Sequence, residues 1–321
     1  MRKSTQGLAR RVRRQFHDLF GDGREPRVAV APGRVNLIGG HTDYNEGLVL
    51  PVAIDRHVAV AFGVNEEGRL RAYSKAYRSC REVAVEELGL PGGTEWFDYV
   101  AGTAWALKEA GHDVRGVDLV VDGDVPMGAG LSSSAALELA TARALAGAAG
   151  LPWDPVAMAK LAQRAENDYV GVRCGVMDQI AAAASVEGSA MLLDCRTLEA
   201  SPIPLPDEAT LVVMDTATRR RLAHGAYNER RRSCAAAVEA LKGVQESITA
   251  LRDVNRETLA RSEALMKAVT FRRALHVVEE IARTKGMADA LLAGDLERSG
   301  RLMNESHQSL RDLYQVSSRE L

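Results

Sequence analysis

The segment that most constrains the fold is a glycine- and serine-rich turn, Asp124 to Ala136, between an apolar stretch and an alanine-rich stretch. Residues 117–122 before it are apolar and β-branched, which predicts a buried strand, and residues 131–149 have the composition of a helix. Gly128 and Gly130 would let the backbone approach a ligand closely, and the helix N-terminus would offer free N–H groups to an anion. The segment therefore predicts a phosphate-binding loop.

This loop matches neither of two common nucleotide-binding motifs. It contains no GxxxxGK[ST] sequence, and Ser133 stands where a GxGxxG motif has its third glycine. The alternative is a structural turn with a serine cap, but such a turn does not require three consecutive serines at the start of the helix. The hydroxyl of Ser134 could also bind Mg²⁺, as hydroxyls do in other nucleotide sites.

Two further segments carry polar side chains suited to chemistry. Gly33 to Asn45 combines an arginine, a histidine, an aspartate and amides, which suits a polyhydroxylated sugar, although a surface loop held by Asx turns would have a similar composition. Cys174 to Gln179 places Asp178 at the start of an apolar helix. By itself, that carboxylate would do no more than complement the helix dipole.

Hydrophobic periodicity predicts a sheet-rich first half and a helix-rich remainder. Leu8, Val12, Phe16 and Leu19 share one face of a first helix, which we expect to dock through this stripe; a mitochondrial targeting helix is the alternative. The other predicted strands are residues 27–31, 57–64, 70–74, 82–87, 190–194 and 211–215, and the other predicted helices are residues 96–110, 154–169, 177–184, 226–242, 264–283 and 295–314.

Length and composition limit the class of protein. A chain of 321 residues, 46% hydrophobic, is near the size at which single cores stop growing, and we predict domains at residues 1–190 and 191–321. A net charge of −2 provides no overall field for nucleic acid or an anionic membrane, and no apolar run is long enough to span a bilayer. Four cysteines without a CxxC pair argue against a zinc site or a disulfide scaffold and favour a cytoplasmic location.

Four separated segments resemble the galactokinases, a family of the GHMP small-molecule kinases. Residues 33–45 resemble the galactokinase signature and residues 126–136 the second GHMP motif, and residues 166–179 and 227–231 resemble further galactokinase segments in the same order. The resemblance implies a two-domain α+β fold with a sheet-rich first domain and a helix-rich second one. It also implies an enzyme that uses ATP and Mg²⁺ to phosphorylate the C1 hydroxyl of galactose, giving galactose 1-phosphate.

The resemblance implies a role for each matching residue. Asp178 would be the catalytic base for the C1 hydroxyl, and Arg34 would keep Asp178 ionised and stabilise the transferring phosphoryl group. Glu166 would bind Mg²⁺ together with Ser134. Trp96 would stack near the adenine or, alternatively, belong to the core. The other implied contacts are Ser74, Gly128, Ala129, Gly130, Leu131, Ser132, Ser133 and Ser134 for ATP and Gly40, His41, Thr42, Asp43 and Tyr227 for the sugar.

Two departures from the family pattern bear on the substrate and on the second domain. Galactokinases usually carry Glu where this chain has Gly40, so an acceptor for the C6 hydroxyl is absent. A kinase for N-acetylgalactosamine or for a hexose altered at C6 is therefore an alternative, as is a non-catalytic sugar- and ATP-binding regulator. The family's glycine-rich third motif does not occur before Leu321, so we expect an incomplete second domain without its final strands.

Overall fold

A five-stranded sheet organises the first of the two units into which the chain divides. The computed structural model describes residues 3–21, 23–89, 93, 95–217 and 223–321. With strands numbered in chain order, this sheet has the order β1-β3-β6-β4-β5, in which β4 pairs parallel with β6, while β3 with β6 and β4 with β5 pair antiparallel. Its strands are β1 (Arg27–Asn36), β3 (Pro51–Val64), β4 (Arg69–Ser74), β5 (Ser79–Ala84) and β6 (Val117–Gly123).

Helices cover both faces of this sheet because its central strands are apolar on both sides. The first helix, α1 (Lys3–Phe20), buries Leu8, Val12 and Phe16 in one cluster with β3 and β6 side chains, as the apolar stripe predicts. Leu19 is 43% exposed, so the buried stripe ends earlier than predicted. The larger core on the other face involves α2 (Trp96–Glu109), α3 (Ser133–Ala149) and α4 (Pro155–Arg164), and the unit ends with α5 (Met177–Ala184).

The second unit combines a small antiparallel sheet with helices. Its sheet has the order β2-β7-β8, from β2 (Leu48–Val49), β7 (Ser189–Asp194) and β8 (Ala200–Pro204). The core contains Leu241, Val277 and Tyr314. The helices are α6 (Ala223–Lys242), α7 (Arg256–Arg261), α8 (Ala268–Leu292) and α9 (Leu296–Ser309), and a π-helical turn, Leu310–Tyr314, follows α9.

The two units are not continuous along the chain. The first consists of Met1–Val35 and Ala53–Ala184, and the second of Asn36–Val52 and Ser185–Leu321. The division at residue 190 stays a prediction; it differs from these units mainly because residues 36–52 group with the second one. No described helix has both the length and the apolar character required to cross a membrane.

Most predicted elements are present, with shifted bounds. The predicted strand at 211–215 is wrong: residues 211–217 have no regular structure, and Val212 and Met214 are 69% and 84% exposed. The strand β8 was not predicted because Pro202 and Pro204 argue against a central strand, whereas β8 is an edge strand that tolerates proline. The helix α8 continues past Arg283 to Leu292.

Candidate active site

The glycine- and serine-rich turn adopts a left-handed backbone at every second residue. Gly128, Gly130 and Ser132 have φ of 69°, 74° and 55°, and α3 begins at Ser133, two residues later than predicted. Backbone turns that include left-handed residues can direct successive N–H groups to one anion. The left-handed conformation costs a non-glycine residue about 1–2 kcal/mol, so Ser132 is strained.

This turn is attached to the end of β1. The main-chain N–H of Arg34 donates to the Leu131 carbonyl at 3.2 Å, and Nη1 of Arg34 donates to the Gly130 carbonyl at 2.8 Å. A side chain at Gly33 would not fit, because its Cβ would lie 2.8 Å from the Leu131 oxygen. The close approach of the two backbones therefore fixes Arg34 beside the loop.

Arg34 and Ser132 both bind the carboxylate of Asp178, which lies in the first turn of α5. Nε and Nη2 of Arg34 donate to Oδ1 and Oδ2 of Asp178 at 2.8 and 2.6 Å, and the Ser132 hydroxyl donates to Oδ2 at 2.5 Å. The Asp178 side chain is 27% exposed. The arrangement presents an accessible carboxylate, held in place by three donors, that can accept a hydrogen bond from an alcohol.

Glu166 lies in the π-helical segment that follows α4, and its carboxylate is buried. It accepts a hydrogen bond from the Cys174 thiol at 3.3 Å, and the Ser134 side chain lies close enough to lower its pKa. Burial, together with the nearby charge of Asp178, raises the pKa of Glu166 to about 7. The hydroxyl of Ser134 and the carboxylate of Glu166 are both oxygen groups of the kind that bind Mg²⁺.

A second buried carboxylate, Glu138 of α3, lies next to this group. The side-chain amide of Gln179 donates to Oε2 of Glu138 at 3.2 Å and to Oε2 of Glu166 at 2.7 Å. Burial, followed by the charge of Glu166, raises the pKa of Glu138 well above its ordinary value. No trio of His, Cys, Asp or Glu side chains in the described part of the chain is placed to hold a metal. A metal here would need further oxygen ligands, such as phosphates or water.

A cavity of about 540 Å³ adjoins the loop in the first unit. Trp96 lines it while being only 8% exposed, so it both faces the cavity and belongs to the core; its indole N–H donates to Ser79 at 3.1 Å. The exposed ring of Tyr77 lies nearly parallel to it, with the ring planes 12° apart and the centroids separated by 6.1 Å. The residues lining the cavity include Ser74, Tyr77, Trp96, Met127, Gly128, Ser133 and Ser134.

In the second unit, α8 fixes the segment Gly39 to His41. Oε1 of Glu280 accepts from the N–H groups of Gly39 and Gly40 at 3.0 and 3.2 Å, and Nε2 of His276 lies 3.0 Å from the Gly40 carbonyl. His41 is left-handed, with φ of 65°. These contacts hold the backbone of the predicted sugar-binding segment in one conformation.

Aromatic rings surround the His41 side chain. Its Nδ1 lies 3.0 Å from the hydroxyl of Tyr44, which lies 2.6 Å from the hydroxyl of Tyr314. The ring of the predicted sugar ligand Tyr227 lies 5.6 Å from the His41 ring, centroid to centroid. The structure therefore brings His41 and Tyr227 together. Asp43 begins a short 3₁₀ turn, Asp43–Asn45, directly after Thr42.

The structure does not support two of the predicted side-chain contacts. Thr42 is fully buried, and its hydroxyl lies 2.8 and 2.7 Å from the carbonyls of Gly39 and Leu48, so it closes the loop and has no surface for a sugar. Ser132 was predicted to contact ATP as part of the loop, and its hydroxyl instead donates to Asp178. Ser133 and Ser134 are the serines that line the cavity.

Sequence reasoning missed several residues that shape these sites. Glu138 had a signal, because it is the only acid in the alanine-rich α3. Gln179 belongs to the segment Cys174 to Gln179, in which only Asp178 was assigned a role. Tyr77, His276, Glu280 and Tyr314 had no signal, since each contacts its site through the tertiary fold.

Comparison with known proteins adds independent evidence. Residues 98–185 match the model of the GHMP kinase N-terminal domain, and residues 14–64 match the galactokinase galactose-binding signature. The galactokinase of Chloroflexus aurantiacus is 45% identical over 306 residues, which cover 95% of this chain and 78% of that protein. The galactokinase of Roseiflexus sp. is 45% identical over 307 residues, covering 95% and 78%. The structure of Lactococcus lactis galactokinase complexed with galactose superposes with a TM-score of 0.91 at 32% identity, covering 99% of this chain and 82% of that one.

Proposed function

The chain belongs to the galactokinase family of GHMP kinases, and from this membership we propose that it transfers a phosphoryl group from ATP to the C1 hydroxyl of galactose, forming galactose 1-phosphate. The observation that carries the proposal is the pairing of Arg34 with Asp178 directly beside the left-handed phosphate loop. A kinase needs an alcohol-binding carboxylate next to a phosphate cradle, and these residues provide both.

In the proposed reaction, Asp178 accepts the proton of the C1 hydroxyl as the oxygen attacks the γ-phosphorus of ATP. The bond from that phosphorus to the β-phosphate oxygen breaks, and ADP leaves. Arg34 and Ser132 keep the carboxylate oriented. The same guanidinium lies 2.8 Å from the loop carbonyl of Gly130, where it can stabilise charge that develops on the transferring group. Phosphoryl transfer depends mainly on positioning and charge neutralisation, so few groups suffice.

We assign the ATP site to the 540 Å³ cavity and the loop beside it. Its volume lies within the roughly 300–1,000 Å³ usual for small-molecule sites. Trp96 and Tyr77 offer aromatic surface for a base, and the loop from Gly128 to Ser134 offers N–H groups for phosphates. Ser74 lines the same cavity.

We assign Mg²⁺ to Ser134 and Glu166. The two side chains lie near each other, and the raised pKa of Glu166 identifies a buried carboxylate that a cation would stabilise in its ionised form. When bound, the metal would neutralise charge on the phosphates of ATP. Mg²⁺ usually takes one or two protein ligands together with phosphates and water, which fits this small set of ligands.

For the sugar we propose His41, Asp43 and Tyr227, with Gly40 contributing only backbone. Gly40 has no side chain to bind a C6 hydroxyl, and Leu310 occupies the neighbouring space. This observation keeps open the second candidate, a kinase whose sugar is altered at C6.

Four free cysteines fit a reducing compartment, so we place the activity in the cytoplasm.

The deciding experiment is a coupled assay of ADP release with ATP, Mg²⁺ and a panel of hexoses that includes galactose, N-acetylgalactosamine and 6-deoxygalactose. We expect sugar-dependent turnover that is fastest with galactose. Preference for another member of the panel would favour the second candidate. Sugar binding without turnover would contradict the kinase proposal and favour a regulator.

A further inference from the structure

One buried carboxylate beside the proposed metal site has no part in the proposed reaction. Glu138 is fully buried in α3, and its Oε1 has no hydrogen-bond partner among the described residues. Oε1 of Gln179 is likewise buried without a partner in the described part of the chain. Burying such groups is costly, and apolar residues of similar volume usually serve a core at least as well. A role beyond packing would explain their presence.

The contacts of Gln179 indicate that role. Its Nε2 carries two hydrogens and lies between two carboxylate oxygens, 2.7 Å from Oε2 of Glu166 and 3.2 Å from Oε2 of Glu138. If the amide were flipped, its carbonyl oxygen would face both carboxylates, and Gln179 would no longer donate to Glu166. Glu138 therefore selects the orientation of the amide that donates to Glu166.

The hydrogen bonds to Glu166 are also asymmetric. The Gln179 amide and the Cys174 thiol both donate to Oε2, at 2.7 and 3.3 Å. Two donors on Oε2 fix the rotation of the carboxylate and leave Oε1 as the oxygen available to a cation. The side chain of Ser134, the second proposed metal ligand, lies near the same carboxylate.

We infer that Glu138 is a positioning residue for the metal site: through the amide of Gln179 it holds Glu166 in the orientation that binds Mg²⁺. This inference rests on the proposed role of Glu166 in the kinase. Residues that orient metal ligands typically contribute about 10-fold to 100-fold to metal affinity or activity. Glu138 is expected to act on metal affinity without touching ADP, ATP or the sugar.

The test measures ADP binding to the full chain by calorimetry, once with Mg²⁺ and once with EDTA. The ratio of the two dissociation constants isolates the contribution of the metal. We expect Glu138→Met, which keeps the volume but removes the acceptor, to lower this ratio about 10-fold or more while leaving the metal-free affinity unchanged. Glu138→Gln keeps an acceptor oxygen and should recover most of the ratio.

Thr141→Val is the matched control. Thr141 is one turn further along α3, fully buried, and its hydroxyl also has no partner within the described residues. An unchanged ratio in Glu138→Met, or an equal loss in Thr141→Val, would overturn the inference. If Glu138→Met does not fold, Gln179→Met removes the same support from its other end, and an unchanged ratio there would overturn it equally.

The ratio of the two ADP dissociation constants in the wild type distinguishes failure of this inference from failure of the proposed Mg²⁺ site. A wild-type protein that binds ADP equally well with and without Mg²⁺ would refute the metal assignment, and the positioning role with it. A metal-dependent wild type with an insensitive Glu138→Met would refute the positioning role alone. Sugar-dependent ADP release, measured separately, tests the kinase activity in either case.

Discussion

Arg34 and Asp178 meet through two parallel hydrogen bonds, Nε to Oδ1 at 2.8 Å and Nη2 to Oδ2 at 2.6 Å. This fork fixes the orientation of the carboxylate as well as its distance from the guanidinium. With the Ser132 hydroxyl also bound to Oδ2, the carboxylate has little freedom to rotate. Oxygen lone pairs that remain on a fixed carboxylate define where an incoming hydroxyl must lie.

Asp178→Asn should abolish most turnover while leaving ATP binding nearly intact. The substitution keeps the shape of the side chain but removes the charge that accepts a proton, and general-base contributions are typically about 10²-fold to 10⁴-fold. The measurements are kcat and the dissociation constant of ATP. Asp168→Asn, at an exposed carboxylate in the π-helical segment that follows α4, is the control. Near-normal kcat in Asp178→Asn would remove Asp178 from its proposed role.

Ser132→Ala and Ser132→Gly should separate catalysis from backbone strain. Both remove the hydroxyl that binds Asp178, so both should lower kcat by about 10-fold, as expected for a hydrogen bond to a charged group. Only glycine relieves the left-handed backbone, so Ser132→Gly should be about 1 kcal/mol more stable than Ser132→Ala. Thermal melts and steady-state kinetics check the two effects, and different kcat values for the pair would contradict the assigned role of the hydroxyl.

Restoring a carboxylate at position 40 should require a second change. Gly40 is not left-handed, so backbone conformation does not forbid a side chain, but its Cβ would lie 3.1 Å from Cδ2 of Leu310. We expect Gly40→Glu alone to cost about 1–3 kcal/mol through overpacking, and Leu310→Ala to relieve that cost. The double variant should prefer galactose over 6-deoxygalactose more strongly than the wild type does.

The measurement is the ratio of kcat/KM for the two sugars. A hydrogen bond lost from a site built for it costs roughly 1–3 kcal/mol, and the wild type, without an acceptor side chain at Gly40, should show little of this discrimination. Leu310→Ala alone is the control for the cavity it creates. Strong rejection of 6-deoxygalactose by the wild type would indicate a different contact to C6.

The stability of the first unit should fall in acid because of Asp118. Burial would raise the pKa of this fully buried carboxylate, but hydrogen bonds from Arg71, Arg24 and Asn65 outweigh burial and lower it below 3.8. Asp118 therefore binds a proton more readily in the unfolded chain than in the folded one. The stabilisation is therefore complete above the unfolded pKa and is lost as pH falls through the folded one.

Asp118→Asn should lower stability at neutral pH by about 3 kcal/mol and flatten its acid dependence, because removing one partner of a buried ion pair leaves the other uncompensated. All three tryptophans, Trp96, Trp105 and Trp153, lie in the first unit, so their fluorescence in urea reports its unfolding. Asp113→Asn, at an exposed ion pair, is the control. If Asp118→Asn loses stability in acid just as the wild type does, another group controls the loss of stability at low pH.

Local features were predictable from the sequence, and distant contacts were not. The glycine- and serine-rich turn before α3, the place of Asp178 in the first turn of α5 and the apolar stripe of α1 follow from neighbouring residues. The bond from Ser132 to Asp178 spans 46 positions and depends on a left-handed serine that composition does not reveal. Thr42 was expected at the sugar because the resemblance to the galactokinase signature implies that role, whereas the fold uses its hydroxyl to close that loop.

Gly39 and Glu280 are 241 positions apart, yet the side chain of Glu280 accepts a hydrogen bond from the N–H of Gly39. On the ribosome, residues 36–52 emerge early, whereas the helix that anchors them emerges late, after every residue of the first unit. Closing so long a loop costs entropy that only the finished helix can offset. We expect the Gly39 and Gly40 amides to gain protection from hydrogen exchange last during refolding. A nascent chain released before residue 280 would carry Asp178 and the phosphate loop but an unanchored sugar segment, and should hold nucleotide without retaining a sugar.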